Sequence, residues 1–273
     1  MKKPGHIIIS GGASGMGLGM ARRYLARGCK VGVLDLLLRD EARESLDIAA
    51  RKGGSSWQFQ MADITSVSEL NAAVSALVEA AGRPDMAINS AGILINKTVA
   101  EMQPEEFHRL INVNLNGSLN FSAAVLPHMR AGSRLALVAS LAGHTSNYGY
   151  AAYGASKFGV MGLAWALRYE YESLGVHISC ICPPEVETPM VTSESQSGNA
   201  ISLALKKTAG CMQADEACDQ IVAGLDAGKW MIIPGVAGKL TAFAMRHMPG
   251  IFNWYMQHSI SKLMHKLGKP ALQ

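Results

Sequence analysis

The sequence predicts one α/β domain: a doubly wound, mostly parallel sheet of seven strands with helices on both faces. Three observations carry this. Short apolar runs alternate with longer stretches of helical periodicity. The apolar runs are continuous rather than alternating apolar with polar. No repeat, linker or low-complexity run interrupts the 273 residues. Continuously apolar strands are buried on both faces, as parallel strands are. Right-handed crossovers then put helices on both sides of the sheet. The length fits, because α/β folds often run to roughly 250 residues as one domain.

The elements follow in order. His6–Ser10 reads as a strand and Gly15–Arg27 as a helix; Lys30–Asp35 is the second strand, followed by a charged helix near Arg39–Lys52. Trp57–Met61 is the third strand, then Ser66–Ala81 a helix; Met86–Asn89 is the fourth strand, and Pro104–Met129 is mostly helical. Arg134–Ser140 is the fifth strand, Ala151–Ser173 a long helix and His177–Cys182 the sixth strand. Ala214–Ala227 is a helix and Trp230–Ile233 a short seventh strand. Residues 1–238 thus form a Rossmann-type domain. Residues 239–273 are a basic, helical extension packed on it. Proline lacks the N–H that a helix interior needs, so two helices over 239–266 should break at Pro249-Gly250.

Composition narrows the class. Charged residues are 17% and hydrophobic residues 49%, which excludes a disordered chain. Five cysteines, an odd number without C-x-x-C spacing, suit a reducing, cytoplasmic compartment better than a disulfide framework. The eight histidines are scattered without H-E-x-x-H, so no metal site is expected. The apolar run behind the basic start is only Ile7–Ile9, too short for a secretory core, and no stretch reaches the ~18 apolar residues of a membrane span. The net charge is +4, but no Asp or Glu follows Asp226, and the last 47 residues hold +6, leaving −2 on the rest. That is too weak a basic stripe, with no reader motif, for nucleic-acid binding.

The first strand runs into Ser10-Gly11-Gly12-Ala13-Ser14-Gly15-Met16-Gly17, which opens a helix. A helix N-terminus after a strand offers free N–H groups and a positive dipole to a pyrophosphate, and glycine lets the backbone come close. Gly11, Ser14, Gly15, Met16 and Gly17 are the candidate contacts. Asp35 ends the next strand 20 residues after Gly15, where a carboxylate bonds ribose hydroxyls. A 2′-phosphate there would meet like charge, so NAD is favoured over NADP.

Tyr153-Gly-Ala-Ser-Lys157 places a phenol and an amine four apart on one helix face. About 0.3 such pairs are expected by chance, so the pair alone is a weak signal. Ser140, 13 residues earlier at the end of the fifth strand, lies at the edge where open α/β sheets bind ligands and sharpens it. A phenol is a poor base at neutral pH, with a pKa of about 10, and a nearby ammonium is expected to lower it. Tyr153 then exchanges a proton with an alcohol or carbonyl oxygen while hydride moves, and Ser140 holds that oxygen.

With these motifs in place the chain resembles the short-chain dehydrogenase/reductase family over roughly residues 5–235. The likeness rests on Gly11-x-x-x-Gly15-x-Gly17, Asp63-Ile64, Asn89-Ser90-Ala91-Gly92, Asn112-Val113-Asn114-Leu115, Ser140, Tyr153-x-x-x-Lys157 and Pro183-x-x-Val186-x-Thr188. It implies Asp63 and Ile64 near adenine, and Asn89, Ala91 and Gly92 along the cofactor. It implies Lys157 on the nicotinamide ribose, and Pro183, Val186 and Thr188 near the carboxamide. It implies Asn114 as a fourth catalytic residue, holding a water in a proton relay with Lys157. Two positions depart from the family pattern. Ser90 stands where a second Asn is usual, and Pro184 stands where Gly is usual, which fixes φ and removes a donor.

Within the family, Pro183–Pro189, Thr208-Ala209-Gly210 and the tail with its Met248-Pro249-Gly250 break resemble a subgroup that includes 3-ketodihydrosphingosine reductases. Those act on long-chain lipid ketones, generally with NADPH, which Asp35 argues against. Met190–Met212 would be the substrate lid, although its Ser, Gln and Asn content also fits a mobile loop. The tail mixes aromatics and Met with basic residues; it suits an oligomer interface, packing on the subunit, or peripheral membrane contact. A homodimer or homotetramer is implied by the family. The leading reading is a cytoplasmic NAD-dependent alcohol dehydrogenase or ketone reductase acting on a small-molecule, apolar substrate. A lipid ketone reductase using NADPH and a dinucleotide-binding regulator without turnover are the alternatives; the intact Asn114, Ser140, Tyr153 and Lys157 argue against the regulator.

Overall fold

The computed structural model describes residues 3–267, without the side chains of Thr208 and Ala209. Residues 268–273 of the expected extension, and the side chains of the Thr208-Ala209 motif, lie outside the described residues.

The chain runs β1 His6–Ser10, α1 Gly15–Ala26, β2 Lys30–Asp35, α2 Asp40–Gly53, β3 Trp57–Met61, α3 Val67–Ala81 and β4 Met86–Asn89. Then come α4 Pro104–Ile111, a π-helical turn Asn112–Asn116, α5 Gly117–Val125, β5 Arg134–Val138, α6 Ala142–Thr145, α7 Ala151–Tyr171 and β6 His177–Ile181. The remainder is α8 Pro189–Ser197, α9 Ala200–Ala209, α10 Ala214–Asp226, β7 Met231–Ile232, α11 Val236–His247 and α12 Pro249–Lys266. Among the described residues the strands form one sheet in the order β3-β2-β1-β4-β5-β6-β7, every neighbouring pair parallel. The order reverses between β1 and β4, so a crevice opens beyond the carboxyl ends of those strands.

Successive strand residues point to opposite faces. In β1, Ile7 and Ile9 pack against Met20 and Tyr24 of α1, Leu46 of α2 and Ile221 of α10. Ile8 between them packs against Leu70 and Leu77 of α3, Phe121 of α5 and Val160 of α7. Those three isoleucines are fully buried, each stabilising the fold by about 1.5–3 kcal/mol relative to exposure. This two-sided burial is why the strands read as continuous apolar runs.

The stretch over Pro104–Met129, expected to be mostly helical, is helical, with a π turn at Asn112–Asn116 and a closing 3₁₀ turn at Leu126–His128. Two elements differ from the sequence expectation. The polar stretch after Thr188 is two helices, not a loop: Pro189 occupies the first turn of α8, and the Asn199 side chain caps α9 by accepting from the Ile201 N–H at 3.0 Å. The tail helices begin at Val236, three residues before the expected boundary. They meet at Met248, with Pro249 starting α12, where its missing N–H costs nothing. Within the protein α11 packs against α6, and α12 against α9 and α11.

Candidate active site

The glycine turn is shaped by contact. A Cβ at Gly17 would stand 2.0 Å from the Gly11 carbonyl oxygen, so α1 starts directly on the turn. Gly15 has φ +48°, a left-handed conformation that disfavours side chains, and a Cβ there would stand 3.7 Å from the Thr188 side chain. The first turn of α1 carries no acidic residue, and the Ser14 side chain does not cap it. Its orphan N–H groups and dipole are therefore open to an anion. The Asp35 carboxylate is held beside this turn, one oxygen accepting from the Ala13 N–H at 3.0 Å and the other from the Leu36 N–H at 2.8 Å.

Asn89 holds the turn to the next strand from within. Its Oδ1 accepts from the Ser10 hydroxyl at 2.5 Å, and its Nδ2 donates to Ser118 at 2.8 Å. Its side chain is thus spent inside the protein, and β4 leads from it into Ala91 and Gly92. Asp63 Oδ1 accepts from the N–H and hydroxyl of Thr65, both at 2.8 Å, which turns the chain into α3. The Ile64 side chain is buried against Gly117.

The four expected catalytic residues gather at the carboxyl edge of β4 and β5. Ser140 follows β5; its Oγ accepts from the Ala142 N–H at 3.1 Å and shares a hydrogen bond with the Tyr153 phenol. Lys157, one turn beyond Tyr153 on α7, donates to the Val138 carbonyl at 2.9 Å, with its amine 5.6 Å from the Tyr153 ring centroid. Asn114 sits in the π turn. Its Oδ1 accepts from the Ile93 N–H at 2.8 Å, while its Nδ2 donates to the Ile93 carbonyl at 2.9 Å and to Ser156 of α7 at 3.1 Å. Its own carbonyl accepts the Ser118 hydroxyl at 2.5 Å. Asn114 thus ties the loop after β4 to the helix that carries Tyr153.

The electrostatics correct one expectation. Burial pushes the Tyr153 phenol up to about 12; the Ser140 hydrogen bond opposes this and the Glu194 carboxylate adds to it. Burial also brings the Lys157 amine down to about 8. Desolvation outweighs any stabilisation of the phenolate by the ammonium, because both groups are shut away from water. Tyr153 therefore stands as a neutral phenol, ready to give a proton.

On the far side of the crevice the Pro183 carbonyl accepts from the Leu141 N–H at 2.8 Å, joining the exits of β5 and β6. Val186 is buried and pairs with Met212. The Thr188 hydroxyl does not cap α8, and Thr188 lines a cavity of about 560 Å³ with Glu187, Pro189, Thr192, Ser193 and Gln196.

A buried polar cluster beside Tyr153 escaped the sequence analysis. Glu194 of α8 accepts from Asn96 at 2.7 Å, from the Tyr150 hydroxyl at 2.6 Å and from Lys206 of α9. Lys206 also lies 3.3 Å from Glu185 and donates to the Tyr150 hydroxyl at 3.1 Å. The Tyr150 ring stands edge-on to Tyr153 at 5.1 Å. The cluster fastens α8 and α9, the stretch expected to be the lid, to the start of α7, which carries Tyr153. Only the spacing of Tyr150 and Tyr153, three apart and so on one helix face, could have hinted at it.

The model of the short chain dehydrogenase family matches residues 5–199, which include the glycine turn, Ser140, Tyr153 and Lys157. The chain belongs to this family. It is therefore an oxidoreductase of alcohols and ketones. Two 3-dehydrosphinganine reductases of Arabidopsis thaliana are 33% and 32% identical to it. The matches cover 89% and 90% of this chain and 73% and 76% of those relatives. A 3-hydroxyacyl-CoA dehydrogenase type-2 of Bos taurus is 34% identical over 68% of this chain and 75% of its own length. Among solved structures, levodione reductase superposes with a TM-score of 0.76 at 27% identity, covering 87% of this chain and 97% of that one. A short chain dehydrogenase from Mycobacterium paratuberculosis, bound to NAD, shares the fold with a TM-score of 0.77 at 22% identity, covering 89% of this chain and 99% of that one.

Proposed function

We propose that this dehydrogenase interconverts a secondary alcohol and a ketone on an apolar substrate, with NAD(H) as its cofactor and Tyr153 as the acid/base. The observation that carries this reading is the convergence of Ser140, Tyr153 and Lys157 at the sheet edge that also holds the glycine turn and Asp35. The residues fit a dinucleotide. Gly11, Ser14, Gly15, Met16 and Gly17 present backbone to a pyrophosphate, and Asp35 presents a carboxylate to an adenosine ribose. Asp63, Ile64, Asn89, Ala91 and Gly92 border its path, and Pro183, Val186 and Thr188 border its far end. Such a cofactor supplies or accepts hydride. Tyr153 gives its proton to the ketone oxygen, or takes one from the alcohol. Ser140 donates to the same oxygen and fixes its position. Lys157 and Asn114 keep α7 and the loop after β4 in register.

The cofactor preference rests on Asp35. The wild type should use NAD in preference to NADP. Asp35→Ala should weaken NAD binding and narrow the gap, since it removes hydroxyl contacts and one repulsive charge. Steady-state kinetics with both cofactors checks this; equal or better use of NADP by the unmutated chain overturns it.

A second reading, reduction of a long-chain 3-dehydrosphinganine-like ketone, is favoured by one observation. The two Arabidopsis reductases match 89% and 90% of this chain, against 68% for the acyl-CoA dehydrogenase. A panel of 3-dehydrosphinganine, short ketones and secondary alcohols, followed by reduced-cofactor absorbance, separates the two readings. We also propose a dimer or tetramer through α7, on which Phe158, Trp165 and Tyr169 form an exposed stripe at helical spacing. Tyr169→Glu should lower the assembly size in light scattering; an unchanged mass would dismiss that face.

A further inference from the structure

The C-terminal helices present an apolar surface that no other described residue covers. On α11, Val236, Leu240 and Phe243 lie four and three residues apart and are 72%, 63% and 55% exposed. On α12, Ile251, Trp254 and Tyr255 are 66%, 68% and 57% exposed, and His258 and Lys262 continue the stripe. The opposite row, Phe252, Met256, Ile260 and Leu263, is half-buried where α12 packs on the lid helix α9. A solvent-facing row of Ile, Trp and Tyr is not what a solvated helix face requires. Charge decides what it meets. Lys239, Arg246, Lys262 and Lys266 belong to these two helices, and no Asp or Glu occurs after Asp226.

We propose that the exposed face of α11 and α12 docks on an anionic lipid surface. Interfacial helices of this kind bury apolar residues roughly 5–10 Å into the headgroup boundary while Lys and Arg meet the lipid charge. Tryptophan and tyrosine favour that depth because one end of the ring is apolar and the other wet. A second copy on the same face would set these cations against their own equivalents, with no acidic residue there to answer them. The proposed contact is peripheral, and among the described residues no helix is long and apolar enough to cross a membrane. Because α12 rests on α9, docking would set the lid and the crevice beneath it close to the lipid. The proposal stands on the surface itself and does not depend on which ketone is reduced.

The test is co-sedimentation of the full chain with phosphatidylcholine vesicles, with and without phosphatidylglycerol. Binding is expected only with the anionic lipid. It should fade as salt shortens the screening length from about 10 Å at 0.1 M to about 3 Å at 1 M. The double variant Lys262→Glu and Lys266→Glu should bind at least about 25-fold more weakly, since each of the two cations near the surface contributes about a fivefold factor. Trp254→Ala with Tyr255→Ala should also release the protein, with NADH binding unchanged as the check on folding. Absence of binding to anionic vesicles overturns the proposal, and so does binding that these substitutions leave intact. If Trp254→Ala with Tyr255→Ala instead dissociates an oligomer in light scattering, the face belongs to a second copy and the proposal fails. Failure here leaves the oxidoreductase reading untouched, because that reading is measured by turnover.

Discussion

Replacing Tyr153 by Phe should lower turnover by about 10²–10⁴-fold while NADH binding stays near wild type. The substitution removes one hydroxyl. The ring keeps its edge-on contact with Tyr150, so α7 has no reason to move. In the proposed site, cofactor affinity would reside elsewhere, in the glycine turn, Asp35 and Lys157. The same geometry sets the pH dependence. With the phenol pushed up to about 12, Tyr153 stays protonated through the neutral range and remains a proton donor. Lys157, brought down to about 8 by burial, is charged below that pH and neutral above it. Reduction of a ketone should therefore be level up to about pH 8 and fall beyond it as the ammonium beside Tyr153 is lost. Stopped-flow turnover against pH, with fluorescence titration of NADH, checks both halves. Turnover of Tyr153→Phe within about threefold of wild type would remove Tyr153 from the acid/base role.

Lys206→Met should destabilise the protein by about 3–5 kcal/mol, the usual cost of breaking a buried ion pair by removing one partner. Lys206 is the cation between Glu194 and Glu185, and the Glu194 side chain is 1% exposed. Without the ammonium, Glu194 keeps its Asn96 and Tyr150 donors but faces Glu185 with no positive charge between them. The lid helices α8 and α9 are where the strain would emerge, because Lys206 and Glu194 are their shared anchor to Tyr150. A lowered denaturation midpoint with new protease cleavage between residues 189 and 210 is expected. A raised KM should accompany it, since the lid borders the crevice. A variant with wild-type midpoint and protease resistance would show that the cluster does not fasten the lid.

The strands and main helices were legible because local chemistry and tertiary environment agree. HIIIS at 6–10, KVGVLD at 30–35 and RLALV at 134–138 are apolar throughout, since both faces of a parallel strand are buried. The grouping of Ser140, Tyr153 and Lys157 was legible for a similar reason. Tyr153 and Lys157 are one helical turn apart, and Ser140 ends a strand, so local geometry alone brings them to one edge. The glycine turn was equally readable as a local pattern, although only the structure shows Gly17 lying against the Gly11 carbonyl.

Other features depend on partners distant in sequence. Asn114 is singled out only by its place in the Asn112-Val113-Asn114-Leu115 motif; what its side chain bonds follows from Ile93 and Ser156, which are 21 and 42 residues away. Glu194 lies in a Ser- and Gln-rich stretch that reads as a loop. It becomes a buried anchor only because Asn96, Tyr150 and Lys206 converge on it from three other segments. The direction of the Tyr153 shift was likewise invisible. Proximity of an ammonium is a property of spacing, whereas desolvation is set by everything packed around the phenol. By itself, then, the sequence determined the parallel α/β architecture, the glycine turn that opens α1 and the grouping of Ser140, Tyr153 and Lys157, all of which are encoded within one or two turns of chain. The tertiary structure alone decided which polar groups are buried, what they bond and which face of the tail stays uncovered, because burial is a property of the whole packed molecule.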